Sequence, residues 1–336
     1  MSDKPEAPAI IKHRITADPE VNPREWEAFW RGAINGTVFN SLSFLAYHPP
    51  DRFKSHHLTL RRKGNLVGIF PAVEREEDGR RVWVSHQGAS YGGPAYSPKL
   101  QYHHLEDLVR ALVEYAREAR FDRIRLTLPP VIYNDQPDQA LPFALYRQGF
   151  QVTRRELTQA VRLDSDESGL LDTFVNKTRG AYRKAIAEGL TFRIIDQPTT
   201  AELDRFWEIL VENRRGLGVI PTHSREEIER LHKLIPENLM LAVVERDGEM
   251  AAVIWNFICN RHTVLEFYMA HDAAHQHLKP VPFLTYNSLL WARQRGFRWL
   301  DFGISSIWGE PTWGLLKFKE NFGSRNFLRL TWQKDL

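Results

Sequence analysis

The sequence lacks most of the features that announce a chemistry. It has one cysteine, Cys259, in 336 residues. A lone thiol cannot form an intrachain disulfide, and in the apolar run "AAVIWNFIC" it reads as a small buried hydrophobe, which fits a reducing compartment. No apolar run is long enough to cross a bilayer, and the opening "MSDKPEAPAIIKHR" has no apolar segment of the kind a signal peptide needs. A cytoplasmic protein without a transmembrane segment is expected, with peripheral membrane contact left open. Neither sign of charge is in excess: 45 Lys and Arg against 42 Asp and Glu leave +3. DNA is therefore not an expected partner, and any phosphate recognition has to come from a local patch. Ser-His-Asp and Cys-His spacings are missing too, and "GIS" and "GASYGG" do not form a nucleophile elbow. A covalent enzyme intermediate is not expected.

What remains is an ordinary folded composition, 43% apolar and 26% charged with ten Trp, in a chain long enough for two domains. After a Pro-rich and charged lead-in of about a dozen residues, "NPREWEAFWRGAI" offers Asn22 as a cap and Pro23 as a helix opener. The runs "HHLTLRRKG" and "NLVGIFPAVERE" meet at a Lys63–Gly64 turn, and a second hairpin step runs through "EEDGRRVWVSHQG". The pattern then changes to period 3.6 in "LEDLVRALVEYAREARF", with Leu105, Leu108, Val109 and Leu112 on one face, and the strand "DRIRLTLPP" follows. The second half repeats this order. "ERDGEMAAVIWNF" answers "RRKGNLVGIFPAV", "PFLTYNSLLWARQRGF" answers the first helix, "RWLDFGISS" answers "DRIRLTLPP", and "GLLKFKENFGS" answers "FALYRQGFQV". Matched order across four elements indicates duplication. The joint falls near Ser165–Gly169, giving domains 1–165 and 166–336, each α/β with a mixed sheet covered by crossover helices.

Four stretches carry a family resemblance: "YGGP" (Tyr91–Pro94), "TRGAYRKAIAEGL" (Thr178–Leu190), "RGFRWLDFG" (Arg295–Gly303) and "GLLKFKENFG" (Gly314–Gly323). In this order, on a duplicated chain, they resemble the Fem-type peptidoglycan interpeptide-bridge aminoacyltransferases and the wider FemAB-like acyltransferase group. The resemblance covers the chain from about Trp26 onward. It implies two tandem GNAT-like acyltransferase domains that transfer an acyl group, in the Fem enzymes an aminoacyl group from charged tRNA, to a peptide amine on a cell-wall precursor. Relatives use acyl-CoA donors or other amines. The expected co-substrate is aminoacyl-tRNA or acyl-CoA with no bound cofactor, and the expected partner is a peptide or nucleotide-linked amine acceptor. Two alternatives stay open: an acyl-CoA-dependent N-acyltransferase of a polysaccharide, lipid or natural-product pathway, and a non-catalytic nucleotide- or tRNA-binding module. "SREEIERLHKLIP" is too short for the helical arm that tRNA-using members often carry. The stretch before the second-half helix, "AAHQHLKPVPF", has two prolines and no glycine, a poor cradle for CoA phosphates.

Attack of an amine on an ester or thioester needs a route for the proton and positive charge for the oxyanion. On a helical wheel at about 100° per residue, Lys319 falls about 40° from Leu315, inside the apolar arc, while Lys317 falls about 200° away. Lys319 is accordingly the candidate that points into a site, to bind donor phosphate or carboxylate or to stabilise charge at the carbonyl; a lysine snorkelling at the core edge is the alternative. Asp301, at a strand end before Gly303, is the candidate to accept the amine proton or position the acceptor, or else makes a cap or an ion pair. For the acceptor, the resemblance implies a nucleotide or lipid diphosphate, which assigns Arg179, Tyr182 and Arg183 as its contacts. Tyr91 and Gly92 would admit an extended peptide, or simply form a turn. Trp308 and Trp313 would form an apolar wall beside Lys319, though Trp313 would equally serve as a core anchor. His271, His275 and His277 in "HDAAHQH" lack a fourth ligand nearby, and no metal is expected.

Overall fold

In the computed structural model, which describes residues 14–336, two halves of like element order share one sheet. The lead-in expected for the first dozen residues lies outside the described residues. The first half runs β1 (Thr16–Asp18), α1 (Pro23–Gly32), α2 (Leu42–Leu45), β2 (Lys54–Ser55), β3 (Leu58–Arg62), β4 (Asn65–Phe70), β5 (Val73–Glu77), β6 (Arg80–Ser85), β7 (Ala95–Tyr96), α3 (Tyr102–Glu118), β8 (Arg123–Thr127), α4 (Ala140–Arg147) and β9 (Gln151–Arg162). The second runs α5 (Glu167–Asp172), α6 (Asn176–Ala187), β10 (Thr191–Ile195), α7 (Thr200–Gly216), α8 (Arg225–Leu234), β11 (Leu239–Arg246), β12 (Glu249–Ile258), β13 (Thr263–His271), α9 (Pro280–Gln294), β14 (Trp299–Ile304), β15 (Ser306–Ile307), β16 (Glu310–Pro311), α10 (Trp313–Glu320) and β17 (Arg325–Asp335). Short-range signals act where expected. Asn22 accepts from the backbone N–H groups of Arg24 and Glu25 and opens α1. Lys63–Gly64 and Asp78–Gly79, all at positive φ, turn the β3–β4 and β5–β6 hairpins.

The main sheet has eleven strands in the order β10-β11-β12-β13-β14-β9-β17-β8-β6-β5-β2. The duplication shows in its two parallel pairs. β6 pairs with β8 across the crossover helix α3, and β13 pairs with β14 across α9. The Lys63–Gly64 hairpin does not stand where β11–β12 stands, as its sequence suggested. β3 and β4 belong to a separate four-stranded sheet, β1-β3-β4-β7, and the β2–β5 pair occupies the equivalent place, with β5–β6 answering β12–β13.

The last strand of each half crosses over. β9 lies beside β14 of the second half, and β17 lies between β9 and β8 of the first. Each half thus completes the other's sheet. The two faces of the second-half sheet are covered by different helices. α7 packs Leu203, Phe206 and Leu210 on one face with Val253, Trp255 and Phe257, and α9 packs Leu284, Leu289 and Ala292 on the other with Ala252 and Ile254. Successive strand residues point to opposite faces, so this alternation defines which wall of any opening a side chain joins. Among the described residues no helix is long and apolar enough to cross a membrane. Cys259 is fully buried.

Candidate active site

β13 and β14 pair only over Thr263–Leu265 and Trp299–Asp301, and both strands are irregular where the pairing stops. On β13, Asn256 faces Glu266 and Trp255 faces Tyr268, which leaves Phe267 unmatched. On β14, Ala160 faces Asp301 and Thr158 faces Ile304, so Phe302 and Gly303 stand against Gln159 alone. Such bulges bend a strand and raise its twist. The two strands part, and a cavity of about 1010 Å³ opens between them, walled also by the ends of α7 and α9 and by α10. Its lining is mainly apolar, including Phe267, Met269, Val281, Phe302, Leu315 and Phe318. The buried Gln159 holds α10 in place: its Nε2 donates to the Leu316 carbonyl at 3.3 Å, and its Oε1 accepts from Ser305 Oγ at 2.6 Å.

Among the ionisable side chains that line this cavity are Glu266, on β13, and Lys319, on α10. Lys319, 5% exposed, donates from Nζ to the carbonyls of Gly303 and Ile304, each at 2.8 Å. The left-handed backbone at Gly303 (φ 74°), a conformation that glycine adopts without strain, belongs to the bulge that turns these carbonyls toward it. An ammonium has three donors, so one remains for a ligand. Lys317 is exposed. Glu266 lines the cavity, and its buried Oε2 has no hydrogen-bond partner. Burial pushes the Glu266 carboxyl up to about 8 against the pull of Lys319. Burial draws the Lys319 ammonium down to about 8, while Asp301 and Glu266 hold it up. The two titrate as an interacting pair.

Asp301 does not line the cavity. Its Oδ2 accepts from Tyr133 Oη at 2.8 Å and Tyr91 Oη at 3.1 Å, and its Oδ1 from Thr158 Oγ1 at 2.6 Å and the Gly303 N–H at 2.8 Å. Four donors occupy a fully buried carboxylate, so the expectation that Asp301 takes the amine proton is corrected: it ties the Tyr91 loop, β9 and the β14 bulge together. Tyr91 does line the cavity. Gly92 does not make room for a peptide. A Cβ there would lie 2.3 Å from His86 N and from the Ser85 carbonyl carbon, so the glycine serves close packing against the end of β6.

The other expected contacts fall away from the cavity. Arg179 is ion-paired with Asp172 at 3.0 Å and also donates to Asn176. Tyr182 stacks on Phe283 at 5.8 Å and leans on Tyr286 at 4.6 Å, fastening α6 to α9. Arg183 is exposed on the surface of α6. Trp308 and Trp313 are 77% and 75% exposed, neither a wall beside Lys319 nor a core anchor. Trp308 sits in the β15–β16 turn beneath the Arg154 guanidinium, 4.9 Å from its ring centre. Of the three histidines, His271 lines the cavity, while His275 and His277 lie in the 3-10 turn that follows β13.

The residues that local reading missed are Glu266, Arg214 and Arg329, all of which line the cavity. Glu266 had one signal, an acid isolated in the apolar strand "TVLEFYMAH". The arginines had none. As for a phosphate cradle, α9 begins at Pro280 with Pro282 in its first turn, so two of the backbone donors a helix N-terminus normally offers are absent.

Residues 173–317 match the family model described as an acetyltransferase (GNAT) domain. No curated protein matches the sequence. Among solved structures, the chain is similar to FemX, with a TM-score of 0.72 at 14% identity over 94% of this chain and 96% of that one. It is also similar to L-PGS from Bacillus licheniformis, at TM-score 0.58 and 15% identity over 93% and 91% of the two chains. A tandem GNAT protein from the clavulanic acid biosynthesis pathway gives 0.53 and 12% over 96% and 98%. At such identities these likenesses establish a fold: two tandem GNAT-like units.

Proposed function

We propose that this chain, a GNAT-type transferase with the tandem fold of the FemAB-like group, moves an acyl or aminoacyl group onto an amine in the notch between β13 and β14. The observation that carries this reading is that Glu266 and Lys319 meet one cavity where the two strands part. The acceptor amine attacks the carbonyl carbon of a thioester or ester; the C–N bond forms, and the C–S or C–O bond breaks as the thiolate or alkoxide leaves. Glu266, as carboxylate, takes the proton that the amine loses. A base with a pKa near the working pH suits that transfer. Lys319, held by two backbone carbonyls, aims its remaining N–H at the negative charge on the carbonyl oxygen or on the leaving group. The apolar lining keeps water from competing for the acyl group.

The resemblance to the Fem-type enzymes favours a peptide amine of a peptidoglycan-precursor-like molecule as acceptor. Two donors stand against each other. The acetyltransferase-domain match of residues 173–317 favours acyl-CoA, while the prolines at the start of α9 weaken a CoA phosphate cradle and leave room for an aminoacyl ester. Incubating the purified chain with labelled acyl-CoA or aminoacyl-tRNA, each with amine acceptors, tests both points. Transfer from one donor class is expected, and its loss in Lys319→Ala ties it to this cavity. No transfer from either class to any amine would overturn the reading.

A further inference from the structure

The cavity carries more positive charge than acyl transfer uses. Besides Lys319, its wall includes Lys279, at the start of α9, and two arginines, Arg214 near the end of α7 and Arg329 on β17. Several arginines elsewhere in the chain meet carboxylates, as Arg125 meets Glu77 at 2.5 Å and Arg193 meets Glu245 at 2.7 Å. These two do not. Among the described residues, the hydrogen bond of the Arg214 side chain runs to its neighbour Asn213 at 2.9 Å, and its guanidinium lies 5.8 Å from the Tyr268 ring centre. Arg329 has a buried Nε with no acceptor, and its guanidinium lies 5.6 Å from the Tyr91 ring centre. Glu266 is the one acidic side chain in the lining, and it forms no ion pair with either. Tyr268 and Glu266 offset the burial of Arg214 only through space, so both partly buried guanidinium groups keep donors that no carboxylate fills, and their planar forks match carboxylate and phosphate oxygens.

Both arginines reach the cavity from the same side of the sheet. Arg214 belongs to the helix that packs with Trp255 and Phe257, and Arg329 is two residues from Phe327, which packs in that same cluster. α9, whose N-terminus is where a GNAT donor's phosphates would lie, covers the opposite face. The anion that these arginines await therefore enters with the acceptor.

We propose that Arg214 and Arg329 form an anion subsite that selects amine acceptors bearing a carboxylate or phosphate group near the amine. Acyl transfer to an amine is the premise for naming the acceptor as the anion's carrier; the anion subsite itself does not depend on it. Matched acceptors test the proposal: lysine against 1,5-diaminopentane for a carboxylate, and phosphoethanolamine against ethanolamine for a phosphate, with whichever donor supports turnover. The anionic member of at least one pair should be preferred in kcat/KM by on the order of 10- to 100-fold. Arg329→Gln and Arg214→Gln should collapse that ratio, and Arg329→Lys should restore part of it. Variants that slow both members of a pair alike would assign the arginines a structural role and overturn the proposal. So would variants that change the preference for acyl-CoA over an acyl-pantetheine lacking the nucleotide phosphates while leaving acceptor discrimination intact. Calorimetric binding of the same acceptors gives a readout without turnover. Anion-dependent binding that Arg329→Gln abolishes would uphold the subsite even if acyl transfer failed, and equal binding to wild type and variant would refute it.

Discussion

Replacing Glu266 by glutamine preserves the shape of the side chain and removes its capacity to accept a proton. Burial holds this carboxyl near 8, so the share of molecules that carries the carboxylate rises from a minority at pH 7 to a majority at pH 9. If the carboxylate takes the acceptor's proton, the wild-type-to-variant ratio of kcat/KM should climb roughly tenfold across that interval, toward a plateau of about 10²–10⁴. The ionisation of the acceptor amine acts on both proteins and cancels in the ratio. Lys319 does not cancel fully. The Glu266 charge holds its ammonium up, so in the variant Lys319 deprotonates at lower pH, which steepens the rise in the same direction. The assay is initial-rate release of the donor's thiol or alcohol at subsaturating acceptor, from pH 6.5 to 9.5, with both proteins shown to be folded at each end. A ratio that stays flat or falls with pH would refute Glu266 as the proton acceptor.

Lys319→Met should lower kcat by about 10²–10³, and because Lys319 pulls the Glu266 carboxyl down, the rising limb of the pH–rate profile should move to higher pH; an unmoved limb would separate the two residues. Gly92→Ala forces a Cβ to 2.3 Å from the backbone at Ser85 and His86 and should cost about 2–4 kcal/mol in urea unfolding, whereas Gly180→Ala, with nothing within 4 Å on helix α6, should stabilise by about 0.5–1 kcal/mol. Equal effects would contradict this packing. His223 is buried, His57 and His232 are half-buried, and burial lowers the pKa values of all three to about 4. The unfolded chain therefore binds their protons first as pH falls below about 6.5, and stability drops between there and about pH 4. For His223 alone the loss from pH 7 to pH 5 is about 2 kcal/mol, so an unfolding midpoint unchanged between those pH values would contradict neutral burial. Asp301→Asn should destabilise the chain by about 2–3 kcal/mol, because the amide offers an N–H to hydroxyls that already donate; a thermal unfolding midpoint within a degree of wild type would refute its role as the tie between the Tyr91 loop and β14.

The elements of this protein were legible where their causes are local. The Asn22–Pro23 helix start, the glycine turns at Gly64 and Gly79, and the 3.6-residue period of α3 each depend on a few neighbouring residues. The same period turns Lys319 inward and Lys317 outward on α10, and the repeated order of elements carried the duplication, although it matched the Lys63–Gly64 hairpin to the wrong partner. The exchange of β9 and β17 had no local cause. Either strand could pair in either half, and which pairing forms is decided by register and burial across well over 100 residues of chain. The same long-range closure decided the site. Arg179, Tyr182 and Arg183 share a helix face, but the packing of α6 on α9 and a carboxylate at Asp172 keep them from the cavity. Trp308 and Trp313 flank a short Gly- and Pro-bearing loop whose path nothing nearby dictates, and it leaves them in solvent. Glu266, Arg214 and Arg329 come from a bulged strand, a helix end and the exchanged strand, and they meet only because two strands part after three paired residues. A bulge and a splay are set by how whole layers pack, so the chemistry of this chain is written in residue types along the sequence but assembled only by its tertiary structure.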